Sequence, residues 1–145
     1  MEPYNKTRIL IPISQKVDKE KVTAALSILY FFRKPLIVLL HIIELPMTAP
    51  LDLSLYPKEE AEARKKLQSV EKWLREQGFE VRIKISAARD ATLGIIDEAD
   101  TGRYSLVILM KRRPPGGLKR LFYKSHTDRV TSRISCLSLI LPVER

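Results

Sequence analysis

The chain has 145 residues, 45% of them apolar, and a net charge of +9 from 26 Lys and Arg against 17 Asp and Glu. That size and apolar share predict one domain with a real core, spanning residues 1–145, and no apolar run reaches the roughly 18 to 20 residues of a membrane helix. The lone Cys136 forms no internal disulfide, two distant histidines supply no metal-ligand spacing, and no secretory pattern opens the chain, so a cytoplasmic protein with no membrane association is expected.

Strand one is predicted over Thr7 to Ile13. A helix follows from Asp18, a favourable N-cap, to about Arg33. Its Val22, Ala25, Leu26 and Leu29 recur at helical spacing, and Pro35 forbids continuation. Leu36 to Ile43 is apolar on both faces, as a central parallel strand is. A proline-punctuated loop, Glu44 to Tyr56, leads to a long helix from Pro57 to about Gln77, opened by proline and closed by Gly78. Ala63, Leu67, Val70 and Leu74 form its inner stripe, while Glu59, Glu60, Lys65, Lys66 and Lys72 face water.

In the third strand, Phe79 to Ile85, apolar Phe79, Val81, Ile83 and Ile85 alternate with Glu80, Arg82 and Lys84. One wet face points to an edge strand. Asp90 caps a third helix that ends at Gly102, with Asp97, Glu98 and Asp100 read as its solvated face. Strand four is Tyr104 to Met110. The basic loop that follows empties onto a helix whose start at Ser125 is marked by the capping-box spacing Ser125 to Asp128. Strand five runs from about Cys136 to Val143, and Cys136 is expected as a buried apolar filler.

Alternating strands and helices predict a three-layer α/β/α protein with a doubly wound, parallel, five-stranded sheet. The order 3-2-1-4-5 places the wet third strand at an edge. The switch point of that order lies between the carboxyl ends of strands one and four, where a ligand binds in such sheets. Ser14 and the loop after Met110 meet there. Between Lys111 and Arg133, eight cations (Lys111, Arg112, Arg113, Lys119, Arg120, Lys124, Arg129 and Arg133) stand against Asp128 alone, so this segment carries +7 of the +9. Such a field attracts anions; the plainer reading is a solvated basic face.

Several stretches resemble the universal stress protein family over nearly the whole chain. Arg8-Ile9-Leu10-Ile11-Pro12-Ile13-Ser14 is similar to the family's first strand, and Ser135-Cys136-Leu137-Ser138-Leu139-Ile140-Leu141-Pro142-Val143 to its last. Met110, Arg112-Arg113 and Gly117-Leu118-Lys119-Arg120-Leu121 match the loop between them. The family's loop reads glycine, two residues, glycine, nine residues, glycine, serine. Its glycines fall here on Lys111, Pro114 and Lys124, and only Ser125 survives. The aspartate that usually ends the first strand is Ser14.

The resemblance implies the adenine nucleotide alpha hydrolase-like and flavodoxin-like fold. It also implies a homodimer whose two-fold edge is the last strand, here Leu137, Leu139, Leu141 and Val143. In ATP-binding members the contacts carried over fall at Pro12, Ser14, Ile42, Met110, Lys111, Arg113, Pro114, Lys124, Ser125 and His126. Pro12, Ile42 and Met110 retain apolar surface for an adenosine, and Ser125 retains a donor for a phosphate. Pro114 has no N–H, however, and lysine side chains stand where bare backbone approaches the triphosphate. The expectation is a regulatory binding protein with a degenerate basic cleft that does not take ATP in the family's usual way. Its candidate anion ligands are Lys111, Lys124 and Ser125.

Two alternatives stand beside it: binding of ATP or another phosphate-bearing anion in that cleft, and non-specific nucleic-acid binding through the basic loop. A protein partner besides a second copy fits the regulatory reading. An enzyme is not expected, since neither a Gly-x-Ser-x-Gly elbow nor a Walker loop occurs. His41, in an apolar strand, reads as a satisfied strand-end histidine.

Overall fold

A computed structural model gives the structure of the chain and describes residues 7–13, 17, 19–32, 35–112 and 126–143. The strands are β1 (Arg8–Pro12), β2 (Leu36–Glu44), β3 (Glu80–Ala88), β4 (Leu106–Arg112) and β5 (Leu137–Val143). The helices are α1 (Lys19–Phe32), α2 (Pro57–Glu76), α3 (Ala91–Thr101) and the six-residue α4 (His126–Thr131). All strand pairs are parallel, and the order is β3-β2-β1-β4-β5, as the alternation predicted.

The two faces of the sheet carry separate cores. On the first, Ile9, Ile11, Ile37, Leu39, Val81 and Ile108 meet Val22 and Leu26 of α1 and Ala63, Leu67, Val70 and Leu74 of α2. On the second, Leu10, Val38, Leu40, Val107 and Leu109 meet Ala99 of α3 and Val130 of α4. The period-2 alternation of each strand sends neighbours to opposite cores, which is why Leu36–Leu40 reads as an unbroken apolar run and is buried throughout. Strand three shows the expected pattern: Phe79, Val81 and Ile85 are buried, and Arg82 and Lys84 are exposed.

Helix ends follow from their residues. Pro57 opens α2, and Gly78, at φ 96°, closes it. The Gly78 N–H reaches the Arg75 carbonyl and the Phe79 N–H reaches that of Leu74, a Schellman closure that only a residue tolerant of positive φ allows cheaply. Asp90 caps α3 by accepting from the N–H groups of Thr92 and Leu93. Asp18 and Arg33, the expected ends of α1, lie outside the described residues.

Three expectations are corrected. Strand four does not stop at Met110: Lys111 and Arg112 belong to β4, in register with Pro142 and Val143 of β5. The ladder satisfies backbone groups whatever the side chains carry, so a change to basic composition does not end a strand. Likewise β3 runs three residues past Ile85, because Ser86, Ala87 and Ala88 find partners in Ile42, Ile43 and Glu44. The end of α3 is as expected: Gly102 is its C-cap, at an ordinary φ of −84°, and the left-handed residue that follows is Arg103, at φ 57°.

The third correction concerns Glu98, expected on a solvated face and in fact only 7% exposed. Its carboxylate accepts from the Tyr104 hydroxyl at 2.6 Å and pairs with the Lys84 ammonium at 2.7 Å. The Arg8 guanidinium lies 5.0 Å from the centre of the Tyr104 ring, and its Nε donates to the Gly102 carbonyl at 3.2 Å. Burial, then the hydrogen bond and charge of Glu98, push the Tyr104 phenol well above its ordinary pKa, against the opposing influence of Arg8. Buried polar groups are stable only when partnered, and this cluster partners them while tying α3 to β1, β3 and the segment leading into β4. Cys136 is half-buried beside the second core; burial raises its thiol pKa, the backbone opposes this, and the Asp100 charge adds to it.

Candidate functional site

The sheet has its switch point at β1 and β4. The chain leaves β1 for α1 on the first face and leaves β4 for α4 on the second. Pairing between the two strands joins Ile9 to Leu106 and Leu10 to Val107 and stops there. By contrast, β1 stays with β2 through Pro12 and Leu40, and β4 stays with β5 through Arg112 and Val143. The two central strands therefore part toward their carboxyl ends, which is where a doubly wound sheet offers a crevice.

The predicted site residues distribute around that point. Pro12 ends β1, and Ile42 lies near the end of β2 on the second face, packed with that core. Ile42 is already engaged by α3: a Cβ placed on Gly94 would stand 2.9 Å from its Cδ1. Met110 is turned to the first face and packs against that core, away from Ile42. Lys111 is next along β4 and lies on the second face, toward α4. His126 opens α4. Ser14, Arg113, Pro114, Lys124 and Ser125 lie outside the described residues, as does the side chain of His126. His41 is satisfied: its Nδ1 donates to the Ile13 carbonyl at 2.9 Å, which fixes the proton on Nδ1 because a carbonyl only accepts.

Sequence reasoning offered Lys111 as a cation for an anion. Instead its Nζ lies 3.1 Å from Oδ1 of Asp128, in the first turn of α4, with both side chains about a third exposed. Asp128 was expected only as the acid of a capping box. A second pair runs from Arg129 of α4 to Asp90 of α3 at 3.4 Å. Asp90 also caps α3, and Glu44, at the end of β2, accepts from the Ala91 N–H at 2.7 Å. Burial acts to raise the Asp90 pKa, but the N–H groups of Leu93 and Thr92, aided by Arg129, outweigh it and hold the carboxyl below its ordinary value.

A row of charge links thus runs along the second face from β4 through α4 to α3. The basic field counted from the sequence is compensated at both of these cations. Nothing in local spacing reveals this, since Arg129 and Asp90 are 39 residues apart. Among the described residues no group of three His, Cys, Asp or Glu side chains is placed to hold a metal, and no helix is long and apolar enough to cross a membrane.

This fold and switch point are shared with known proteins. The model of the universal stress protein family matches residues 6–142. The chain belongs to the universal stress protein family. A universal stress protein from Archaeoglobus fulgidus superposes with a TM-score of 0.68 at 15% identity, covering 92% of each chain. The universal stress protein from Archaeoglobus fulgidus in complex with dAMP gives 0.67 at 14% identity, covering 92% of this chain and 96% of that one. Universal stress protein UspA from Lactobacillus plantarum gives 0.66 at 18%, covering 96% and 99%. At these identities the likeness is one of fold. No curated protein matches the chain in sequence.

The last strand, expected as a dimer edge, is an edge among the described residues: β5 pairs with β4 alone. Leu141 is buried and Leu139 packs against the first core, so those two side chains serve the chain's own interior. Leu137 is 75% exposed, and Ile140, on the opposite face, is 40% exposed. The side chain of Val143 lies outside the described residues.

Proposed function

We propose that this universal stress protein acts by binding and association rather than by turnover, as a cytoplasmic regulatory homodimer whose cleft does not take ATP in the family's usual way. The observation that carries this reading is Lys111. It stands at the position of the first loop glycine, and its ammonium is held by Asp128 at 3.1 Å. A glycine there leaves backbone N–H groups open to phosphate oxygens. A lysine stem removes that open approach, and a carboxylate beside it adds negative charge where the triphosphate would lie. Pro114, with no N–H, and Lys124 depart from the loop pattern in the same sense. The edge of β5, unpaired among the described residues, and the exposed Leu137 support self-association.

Titration calorimetry of nucleotide-free protein with Mg·ATP, at low and moderate salt, tests the cleft. The expected result is no saturable heat at micromolar nucleotide; one site per chain at micromolar affinity would overturn it. A second reading, binding of an adenine nucleotide or another phosphate-bearing anion, is favoured by the relative of this fold solved with dAMP. That reading predicts saturation with only modest salt sensitivity. Non-specific nucleic-acid binding through the basic loop predicts affinity that falls steeply with salt.

A further inference from the structure

We infer that Asp128 is a built-in competitor for the cleft: its carboxylate occupies Lys111, so a phosphate-bearing anion binds there only by displacing it. This deepens the reading just given and rests on it. The geometry has three parts. Lys111 lies near the carboxyl end of β4, held in register with Pro142, so its backbone position is fixed by the sheet. Its Nζ meets Asp128 Oδ1 at 3.1 Å. Asp128 is in turn held in place by its own helix, because the next residue, Arg129, is tied to Asp90 at the start of α3 at 3.4 Å. The carboxylate is therefore presented to the lysine by two elements rather than reaching it from a free loop.

Both partners are about a third exposed, and a pair so placed is weak and easily screened. The contact therefore sets a threshold for anions and does not seal the site. A triply or quadruply charged phosphate chain outcompetes one carboxylate for an ammonium more readily than a monoanion does, because the attraction scales with charge. Occupancy by such an anion releases Asp128 from β4 and leaves α4 held to α3 through Arg129 and Asp90. The signal of a filled cleft is then a loosened join between β4 and α4, beside the β5 edge.

The test uses the full chain with inorganic tripolyphosphate, which carries the charge without the adenosine. Binding is measured by calorimetry at low salt for the native protein, for Asp128→Asn and for Asp128→Asn combined with Lys111→Gln. Removing the carboxylate's charge is expected to tighten tripolyphosphate binding about five- to tenfold, from freeing the lysine and ending the repulsion. The double variant is expected to return to the native level. An unchanged affinity in Asp128→Asn overturns the proposal, and so does a gain that survives loss of Lys111. If Asp128→Asn folds poorly, Asp128→Ser keeps an oxygen in the first turn and reads the same quantity. Tight Mg·ATP binding by the native protein would sink the functional reading above, whereas a missing gain in Asp128→Asn sinks only the competition.

Discussion

Replacing Gly102 by alanine separates two opposed effects at one atom. Gly102 sits at φ −84° and ψ −1°, a conformation open to any residue, so backbone considerations alone favour alanine. Such a change stabilises by about 0.4–1 kcal/mol through the unfolded chain. The packing reverses the sign. A Cβ there would stand 2.8 Å from the Glu98 carbonyl oxygen and 2.9 Å from Tyr104 Cδ2, and closer still to Tyr104 Cε2. The ring cannot simply turn aside, since it is buried and its hydroxyl is bonded to Glu98 at 2.6 Å.

Overpacking of this kind costs roughly 1–3 kcal/mol. Disturbing a hydrogen bond to a charged acceptor adds about 1.5–3 kcal/mol where the bond is lost. Set against the backbone gain, Gly102→Ala should destabilise by about 2–4 kcal/mol, or roughly 5–12 °C in Tm for a chain of this size. Urea unfolding followed by Trp73 fluorescence, from the only tryptophan, and by circular dichroism measures it. In a Tyr104→Ala background most of the penalty should vanish, as a double-mutant cycle would show. A Gly102→Ala midpoint at or above the native one would refute the packing argument.

The same cluster predicts a response to alkali. Because the folded pKa of Tyr104 is raised, its contribution to stability is fully present below the ordinary phenol value of about 10 and is lost as pH climbs above it, where the unfolded chain gives up the proton first. The difference in urea midpoint between native protein and Tyr104→Phe should hold steady from pH 8 to near 10 and then shrink; a gap constant to pH 11 would contradict this. At the β5 edge, Leu137→Lys should convert a dimer into a species of the 16.7 kDa chain mass by light scattering while leaving the melt unchanged. A native protein that already runs at that mass would remove the dimer from the proposal.

The order of elements was legible in the sequence because it depends on neighbours. Strict alternation in Phe79 to Ile85, the Ala63–Leu67–Val70–Leu74 stripe, Pro57 and Gly78 each act within a turn or two of chain. Strand order followed from them, since a wet-faced third strand belongs at an edge. The location of the switch point was also legible, because it is a property of that order. What fills it was not. Counting charges made Lys111 and Arg129 a basic field, and only the packing of α4 against β4 and α3 brought Asp128 and Asp90 to them.

Glu98 is the same lesson within the core. Its neighbours Asp97 and Asp100 are exposed, and nothing local separates it from them. It is buried because β3 supplies Lys84 and the segment just before β4 supplies Tyr104. Gly102 ends α3 as its position suggested, but the positive φ belongs to Arg103, and the glycine is needed for the space the Tyr104 ring takes. Periodicity and capping are short-range and leave their mark in consecutive residues. Charge pairing and steric fit join residues far apart in the chain, and only the folded sheet with its helices brings them within a few ångströms.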